Sequence, residues 1–536
     1  MSRGSLETGS GRTDGPSGDE RLTHIRNALH GGGKFLVPTV SALLATAVVF
    51  RRVGASDFGI YSLAIAVVSF GDFAQIGAGP AIVKYVAEIR GRLGRSDGGE
   101  ARIRALLRAG HVFSALAFGF VAVLALAFVA LGLEATGVGP ERHEFSRRVF
   151  LWATLAAGLN FFAVPYLSLY EGLERYDISA RIISARAVLT GATDVAVILW
   201  TGSLPLLLAV RVADNALLLL VASRVGRYTG LSLPARGRRE PGALAADVRR
   251  LAGFGIHLSV ASLSGLALTR GTYFIIGAYL GTTWTGIYSL VNEFAIKAHR
   301  LLSSVYQFVF PATSRLLALG RPDELRGLLR NCYRLAILVI FPLVVSAWLV
   351  SPLVLGLVFG GSRTPEEEAL AFAAFSVLLL SYYLYGISSI EYGVVNGSGA
   401  PRINRNYNLL LAAGTLGLAT VLVGSLGVAG AVMSGGAIGL GAVLYIGFAS
   451  RRYLPREAGY FGPFAGVAAA VLAAGIGLYA LDRWVGAGPL GLLAAALAVP
   501  PLALAAGRRA GAIERGEGRS LARDLLRVAR AGAVGP

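Results

Sequence analysis

The sequence predicts an all-α membrane protein of about fourteen transmembrane helices, built as two parallel six-helix repeats plus a C-terminal helix pair. Three observations predict it. Of the 536 residues, 54% are hydrophobic and only 15% charged, whereas an ordinary soluble chain carries about 25% charged residues. Apolar stretches of roughly the 20 residues that span a bilayer recur along the whole chain. A block of sequence after the first stretch also returns after the seventh.

The elements follow in order. Residues 1–20 are rich in Gly, Ser and charge and read as disordered. Residues 21–30 set Leu22, Ile25 and Leu29 on one helical face beside Arg21 and Arg26, so a short surface helix is expected within a cytoplasmic segment 1–33. No secretory signal is expected, because the chain opens polar and its first apolar run begins at Phe35. Spans are expected at 34–52, 57–79, 105–133, 148–170, 179–201 and 204–223, which form a first repeat, 34–223. A basic cytoplasmic linker, 224–251, leads to a second repeat, 252–450, with spans at 252–280, 284–309, 332–359, 368–391, 405–423 and 427–449. A further pair, near 462–481 and 487–507, fills 451–507. The basic tail 508–536 reads as a surface helix, with Arg519, Arg523, Arg527 and Arg530 opposite Leu521, Leu525 and Val528.

Charge sets the orientation. The formal net charge is +19, yet the arginines lie at helix ends in alternating joints, which excludes nucleic acid as the partner and marks a membrane topology. Arg90, Arg92 and Arg95, then Arg236, Arg238 and Arg239, then Arg326 and Arg330, then Arg451 and Arg452 lie on one side. The intervening joints 202–204, 281–283 and 424–426 carry no charge, and 360–368 is acidic through Glu366, Glu367 and Glu368. Both termini and the basic joints are therefore expected in the cytoplasm of a multi-pass cell-membrane protein. The exception is Arg51-Arg52, on the nominally outer side.

The repeat is specific. Gly54-Ala55-Ser56-Asp57-Phe58-Gly59-Ile60-Tyr61-Ser62-Leu63 matches Gly281-Thr282-Thr283-Trp284-Thr285-Gly286-Ile287-Tyr288-Ser289-Leu290, at an offset of 281 − 54 = 227. Pro80-Ala81 returns as Pro311-Ala312 (311 − 80 = 231), and Gly172 as Gly397 (397 − 172 = 225). An even number of spans per half gives both halves one orientation, related by an axis along the membrane normal.

At these residues the chain resembles the polysaccharide-transporter branch of the multidrug/oligosaccharidyl-lipid/polysaccharide exporter superfamily, which includes the O-antigen repeat-unit flippases. The Gly-x-x-x-x-Gly-Ile-Tyr-Ser-Leu element and its copy carry the resemblance. So do the Gly77-Ala78-Gly79-Pro80 break and the Phe254-Gly255-Ile256 start of span seven. The resemblance covers about residues 25 to 505. Where that family often has an acid in span seven, this chain reads Thr269-Arg270-Gly271-Thr272-Tyr273, so no coupling role transfers to that position.

Charged side chains within spans are the candidates for chemistry. Glu293, Lys297 and Arg300 recur at i, i+4 and i+7, on one helical face. Facing lipid they would together cost on the order of 8–10 kcal/mol, so they should face a cavity; the bland alternative is that Glu293 and Lys297 neutralise one another. Ser62, Ser69, Asp72 and Gln75 form a weaker stripe in span two, and Arg270 stands alone among apolar neighbours. The resemblance places these residues and Arg52 around a central cleft between the halves. Arg52, Arg270, Lys297 and Arg300 are then candidates for substrate binding, and Asp72 and Glu293 for ion coupling by Na⁺ or H⁺. Arg270 and Arg52 could instead snorkel to a headgroup. Arg211 and Asp214, at i and i+3, read as a structural ion pair. Asp194 and Glu391 are lone acids open to either role.

No metal site or cofactor is expected: Cys332 is the single cysteine, and His111, His257 and His299 lack ligand spacing. No Gly-x-x-x-x-Gly-Lys-Ser/Thr element points to ATP. The expected function is not enzymatic. It is the flipping of a lipid-linked (polyprenyl-pyrophosphate) oligosaccharide, with membrane lipids and other polysaccharide-assembly proteins as partners. Arginine suits this because its planar fork matches phosphate oxygens. A cation-coupled multidrug exporter of the same superfamily should have an acid-dominated cleft, and a peptidoglycan-precursor flippase is a nearer alternative. A polysaccharide polymerase or ligase would need a large outer loop, whereas the longest here is about 134–147.

Overall fold

The computed structural model describes residues 39–76, 78–93, 97–228, 243–360, 364–453, 462–486 and 488–509. These form helices joined by short turns, with no strand among the described residues. Eleven helical stretches among them are long and apolar enough to cross a membrane, so the chain is a multi-pass helical membrane protein. Fewer than fourteen stretches qualify, for visible reasons. Leu263–Ala318 counts once although the chain turns back at Gly281, and Ala55–Gly71 falls among the shorter apolar helices.

The first half comprises α1 (39–53), α2 (Ala55–Ile76), α3 (Ala78–Leu93), α4 (Asp97–Ala127), α5 (His143–Gly172), α6 (Tyr176–Thr201) and α7 (Leu204–Tyr228). The second opens with Ala243–Val305, two arms that meet at Gly281: α8 (243–280) and α9 (282–305). It continues with α10 (Val309–Ala318), α11 (Pro322–Leu335), α12 (Phe341–Phe359), α13 (Pro365–Ile387), α14 (Ser389–Gly397), α15 (Pro401–Leu426) and α16 (Val428–Tyr453). The last pair is α17 (Gly462–Val485) and α18 (Gly488–Arg509).

The repeat motif turns the chain. Gly54 has φ 83° and Gly281 φ 79°, backbone that a Cβ makes costly. After each, the helix folds back on the one before. Phe50 meets Phe58 with ring centroids 5.2 Å apart, and Asn292 Nδ2 donates to the Tyr273 hydroxyl at 2.9 Å. Glycines of other joints gather at this same end: Gly137 lies against Gly281, Gly360 beside Arg51 and Gly202 beside Arg52. We refer to it as the hinge end; Arg451, Arg452, Arg508 and Arg509 mark the opposite, arginine-rich end.

The halves meet most extensively where α2 packs on Ala243–Val305, and the second motif glycine of each copy makes this possible. A Cβ on Gly59 would lie 1.9 Å from the Thr282 carbonyl oxygen, and one on Gly286 would lie 1.9 Å from that of Ala55. The contact is reciprocal, since 286 − 59 = 227 and 282 − 55 = 227. On its axis the Ser62 and Ser289 hydroxyls hydrogen-bond at 2.7 Å, buried and again 227 residues apart. Small residues thus let two backbones touch, as they do between membrane helices generally.

One apolar cluster runs through both halves at the hinge end, including Phe50, Phe58 and Leu63 with Tyr273, Ile287 and Phe359. A second joins α11 and α12 (Tyr333, Leu349) to Val471 of α17 and Val499 of α18. Two joints differ from the sequence reading. Helix begins at Ala243, inside the stretch expected as linker; Leu251 is buried among Ile82, Val86 and Leu106, and Arg250 lies 3.5 Å from Glu88. The acidic 366–368 run is the first turn of α13, where Thr364 and Glu367 form a reciprocal capping box and the carboxylates face the positive end of the helix dipole. The surface helix expected within 1–33, the middle half of the linker (229–242) and the tail beyond Arg509 lie outside the described residues.

Candidate functional site

Between the halves lies a cavity of about 500 Å³, lined by α1, α2, α6, α7 and α9. Each helix supplies polar groups by its own periodicity. Arg186, Thr190 and Asp194 fall at i, i+4 and i+8 on α6, Lys297 and Arg300 at i and i+3 on α9, and Arg211 comes from α7. Among the described residues, four cations therefore face this space against one carboxylate, Asp194.

Most of these charges are already committed. The Arg211 guanidinium grips Asp194 through two bonds, Nε to Oδ1 at 2.9 Å and Nη2 to Oδ2 at 2.6 Å, while Nη1 donates to the Tyr61 hydroxyl at 2.8 Å. The ion pair expected between Arg211 and Asp214 is thus not formed. Helical side chains lean toward the helix N-terminus, so Arg211 points away from the residue three positions on and meets α6 instead. Asp214 accepts from the Thr193 hydroxyl at 2.8 Å. Asp194, a lone acid in the sequence, is the partner that periodicity on one helix could not supply.

In the second half, Arg270 Nη2 lies 2.5 Å from Glu293 Oε1, and Lys297 Nζ lies 3.8 Å from Glu293 Oε2. All three are mostly withdrawn from solvent, at 16%, 20% and 17% exposure. Arg270, expected to stand alone, is neutralised across the α8–α9 hairpin, which the glycine turn folds so that 270 and 293 come level. Behind them, Asn292 donates to the Tyr273 hydroxyl and accepts from Tyr382 at 2.8 Å. The two motif tyrosines have diverged. Tyr61 faces the cavity and holds Arg211, whereas its copy Tyr288 packs edge-on against Tyr273.

Other candidates fall elsewhere. Arg52 is exposed at the hinge end beside Gly202 and does not line the cavity; it follows α1 past the cleft because the helix runs on to residue 53. Asp72 belongs to α2, but its side chain lies outside the described residues. Ser62 is spent on Ser289, and Ser69 donates to the Ile65 carbonyl. Glu391 is fully buried and accepts from the Tyr333 hydroxyl, away from the cavity. Among the described residues no group of His, Cys, Asp and Glu could hold a metal ion.

Arg186 was missed by the sequence reading. Its Nη2 donates to Asn215 Oδ1 at 2.8 Å, and Asn215, 7% exposed, is itself fixed by Nδ2 donating to the Ala156 carbonyl at 2.8 Å. The signal was present as the i, i+4, i+8 stripe of Arg186, Thr190 and Asp194.

Residues 203–364 match the model of a polysaccharide biosynthesis protein family. A Shigella flexneri protein named for O-antigen transport is 20% identical over 416 residues, covering 77% of this chain and 94% of that protein. The fold is similar to that of the lipid II flippase MurJ (TM-score 0.66, 12% identity, 89% of this chain and 98% of that one). It is also similar to that of an inward-facing multidrug-resistance transporter of the MATE family (TM-score 0.59, 15% identity, 79% and 98%). All are named as transporters, flippases or biosynthesis proteins rather than as catalysts of a reaction. This chain is a multi-pass helical membrane protein that resembles the polysaccharide-transporter branch of the multidrug/oligosaccharidyl-lipid/polysaccharide exporter superfamily.

Proposed function

We propose that the protein flips a lipid-linked (polyprenyl-pyrophosphate) oligosaccharide across the cytoplasmic membrane, both termini being cytoplasmic, by alternating access of its two halves around the cation-rich cavity. The observation that carries the reading is the charge of that cavity: among the described residues Arg186, Arg211, Lys297 and Arg300 line it against Asp194. An unneutralised cation away from bulk water is costly, and an anionic ligand supplies what the protein withholds. The diphosphate would sit among the guanidinium groups, the sugars in the aqueous part of the cavity and the polyprenol in lipid. A drug-cation exporter would need the opposite sign of charge. The MATE-like fold alone does not favour that reading, because the same fold serves both.

The closed contact is at the hinge end, through Gly59, Gly286 and the Ser62–Ser289 bond. Positive-inside orientation puts that end outside. Movement would then separate the α2–α9 contact as the arginine-rich end closes. Translocation of a lipid-linked oligosaccharide by the purified chain in vesicles, normalised to inserted protein, tests the reading. Wild-type flipping that falls with Lys297→Ala and Arg300→Ala supports it, and absence of flipping by correctly inserted protein refutes it.

A further inference from the structure

Building on that reading, we infer that Arg186 of the first half and Arg300 of the second each hold one phosphate of the substrate, so the site selects a diphosphate over a monophosphate. The inference comes from following every donor in the cavity to its acceptor. Arg211 engages all three of its nitrogens within the protein: Nε and Nη2 are on Asp194 and Nη1 is on Tyr61. Arg270 spends Nη2 on Glu293 and points Nη1 at Tyr273. Lys297 shares that same carboxylate. Arg186 and Arg300 remain. Both line the cavity, and neither has a carboxylate within 4.0 Å among the described residues.

Arg186 is also prepared for the task. One edge of its guanidinium is pinned by a neutral acceptor, Asn215, whose orientation is fixed by the bond from its amide to Ala156. Pinning by an amide rather than a carboxylate orients the fork and leaves its charge intact. Asp214 acts on the Arg186 charge from a distance but accepts its hydrogen bond from Thr193. Arg300 approaches from α9, across the seam between the halves. A ligand held by both spans that seam. A single phosphate can satisfy one of the two, whereas two linked phosphates can satisfy both, so the second arginine contributes only for the diphosphate.

The test uses the full-length chain in nanodiscs, with inorganic pyrophosphate and inorganic phosphate as probes and calorimetry as the readout. Wild type should bind pyrophosphate at least tenfold more tightly than phosphate. Arg186→Gln and Arg300→Gln should each remove that preference, and the double variant should lose no more than either single one. Arg186→Lys keeps the charge without the fork; it should recover only part of the preference and carries the test if Arg186→Gln does not fold. Variants that retain the wild-type preference, or a wild type that binds both anions equally, overturn the inference. If this happens while the wild type still flips lipid-linked oligosaccharide, the flippase reading survives its loss. A wild type that neither binds nor flips removes both.

Discussion

Replacing Gly59 by alanine puts a methyl carbon 1.9 Å from the carbonyl oxygen of Thr282. Contacts of this kind do not fall below 3.0 Å, so α2 and α9 must part by about 3.0 − 1.9 = 1.1 Å. The obstruction is backbone, so no side chain can swing aside. Overpacking of this order costs about 1–3 kcal/mol, and parting the helices also weakens the Ser62–Ser289 bond three residues along. The cost falls only on the state in which the hinge end is closed. Two-state arithmetic converts it into roughly a fivefold to 150-fold shift toward the state open at that end. Gly286→Ala meets Ala55 at the same distance and should do the same. Gly414→Ala, with no atom within 4 Å, is the control. The assay is labelling of Thr46→Cys, a cavity position, in a Cys332→Ser background, with an impermeant reagent added from either side. In the Gly59→Ala chain, labelling should rise from the hinge side and fall from the arginine-rich side. Labelling identical to wild type in both glycine variants would refute the assignment of this contact as the gate.

The remaining predictions concern the committed charges. Arg270→Ala leaves the mostly buried Glu293 with only the longer Lys297 contact at 3.8 Å and should lower the amount of folded protein; pairing it with Glu293→Gln should restore part of that amount. Arg270→Lys keeps a partner for Glu293 and should fold normally, as thermal melting will show. Arg211→Ala leaves Asp194 buried at 4% side-chain exposure with its ion pair gone and should reduce abundance. Asp214→Asn should have little effect, because Asp214 is bound by Thr193 and not by Arg211.

The fold was legible because bilayer physics writes long apolar runs, and because two backbone-to-backbone contacts demand glycine at Gly59 and Gly286 as well as at the turns Gly54 and Gly281. The cavity was half legible. The spacing of Lys297 and Arg300 on one helix marks a shared face, and both line the cavity. Pairings across helices were not legible. Arg270 finds Glu293 only once Gly281 folds α9 back on α8, and Arg211 chooses Asp194 of α6 over Asp214 of its own helix. Arg186 was not legible because the family's cleft is lined by the first two spans of each half and α6 lies outside them, although its polar residues recur every four positions. Arg52 was misplaced because a residue's helix says nothing of its depth along a cleft.

The most direct measurement is translocation of a fluorescent polyprenyl-diphosphate oligosaccharide in vesicles that hold the purified chain in one orientation. Wild type should move the lipid between leaflets. Arg300→Glu, which places an acid in the cavity, should abolish movement with normal insertion and an unchanged melting profile. Wild-type movement by Arg300→Glu, or export of a cationic drug with none of the oligosaccharide, would contradict the account.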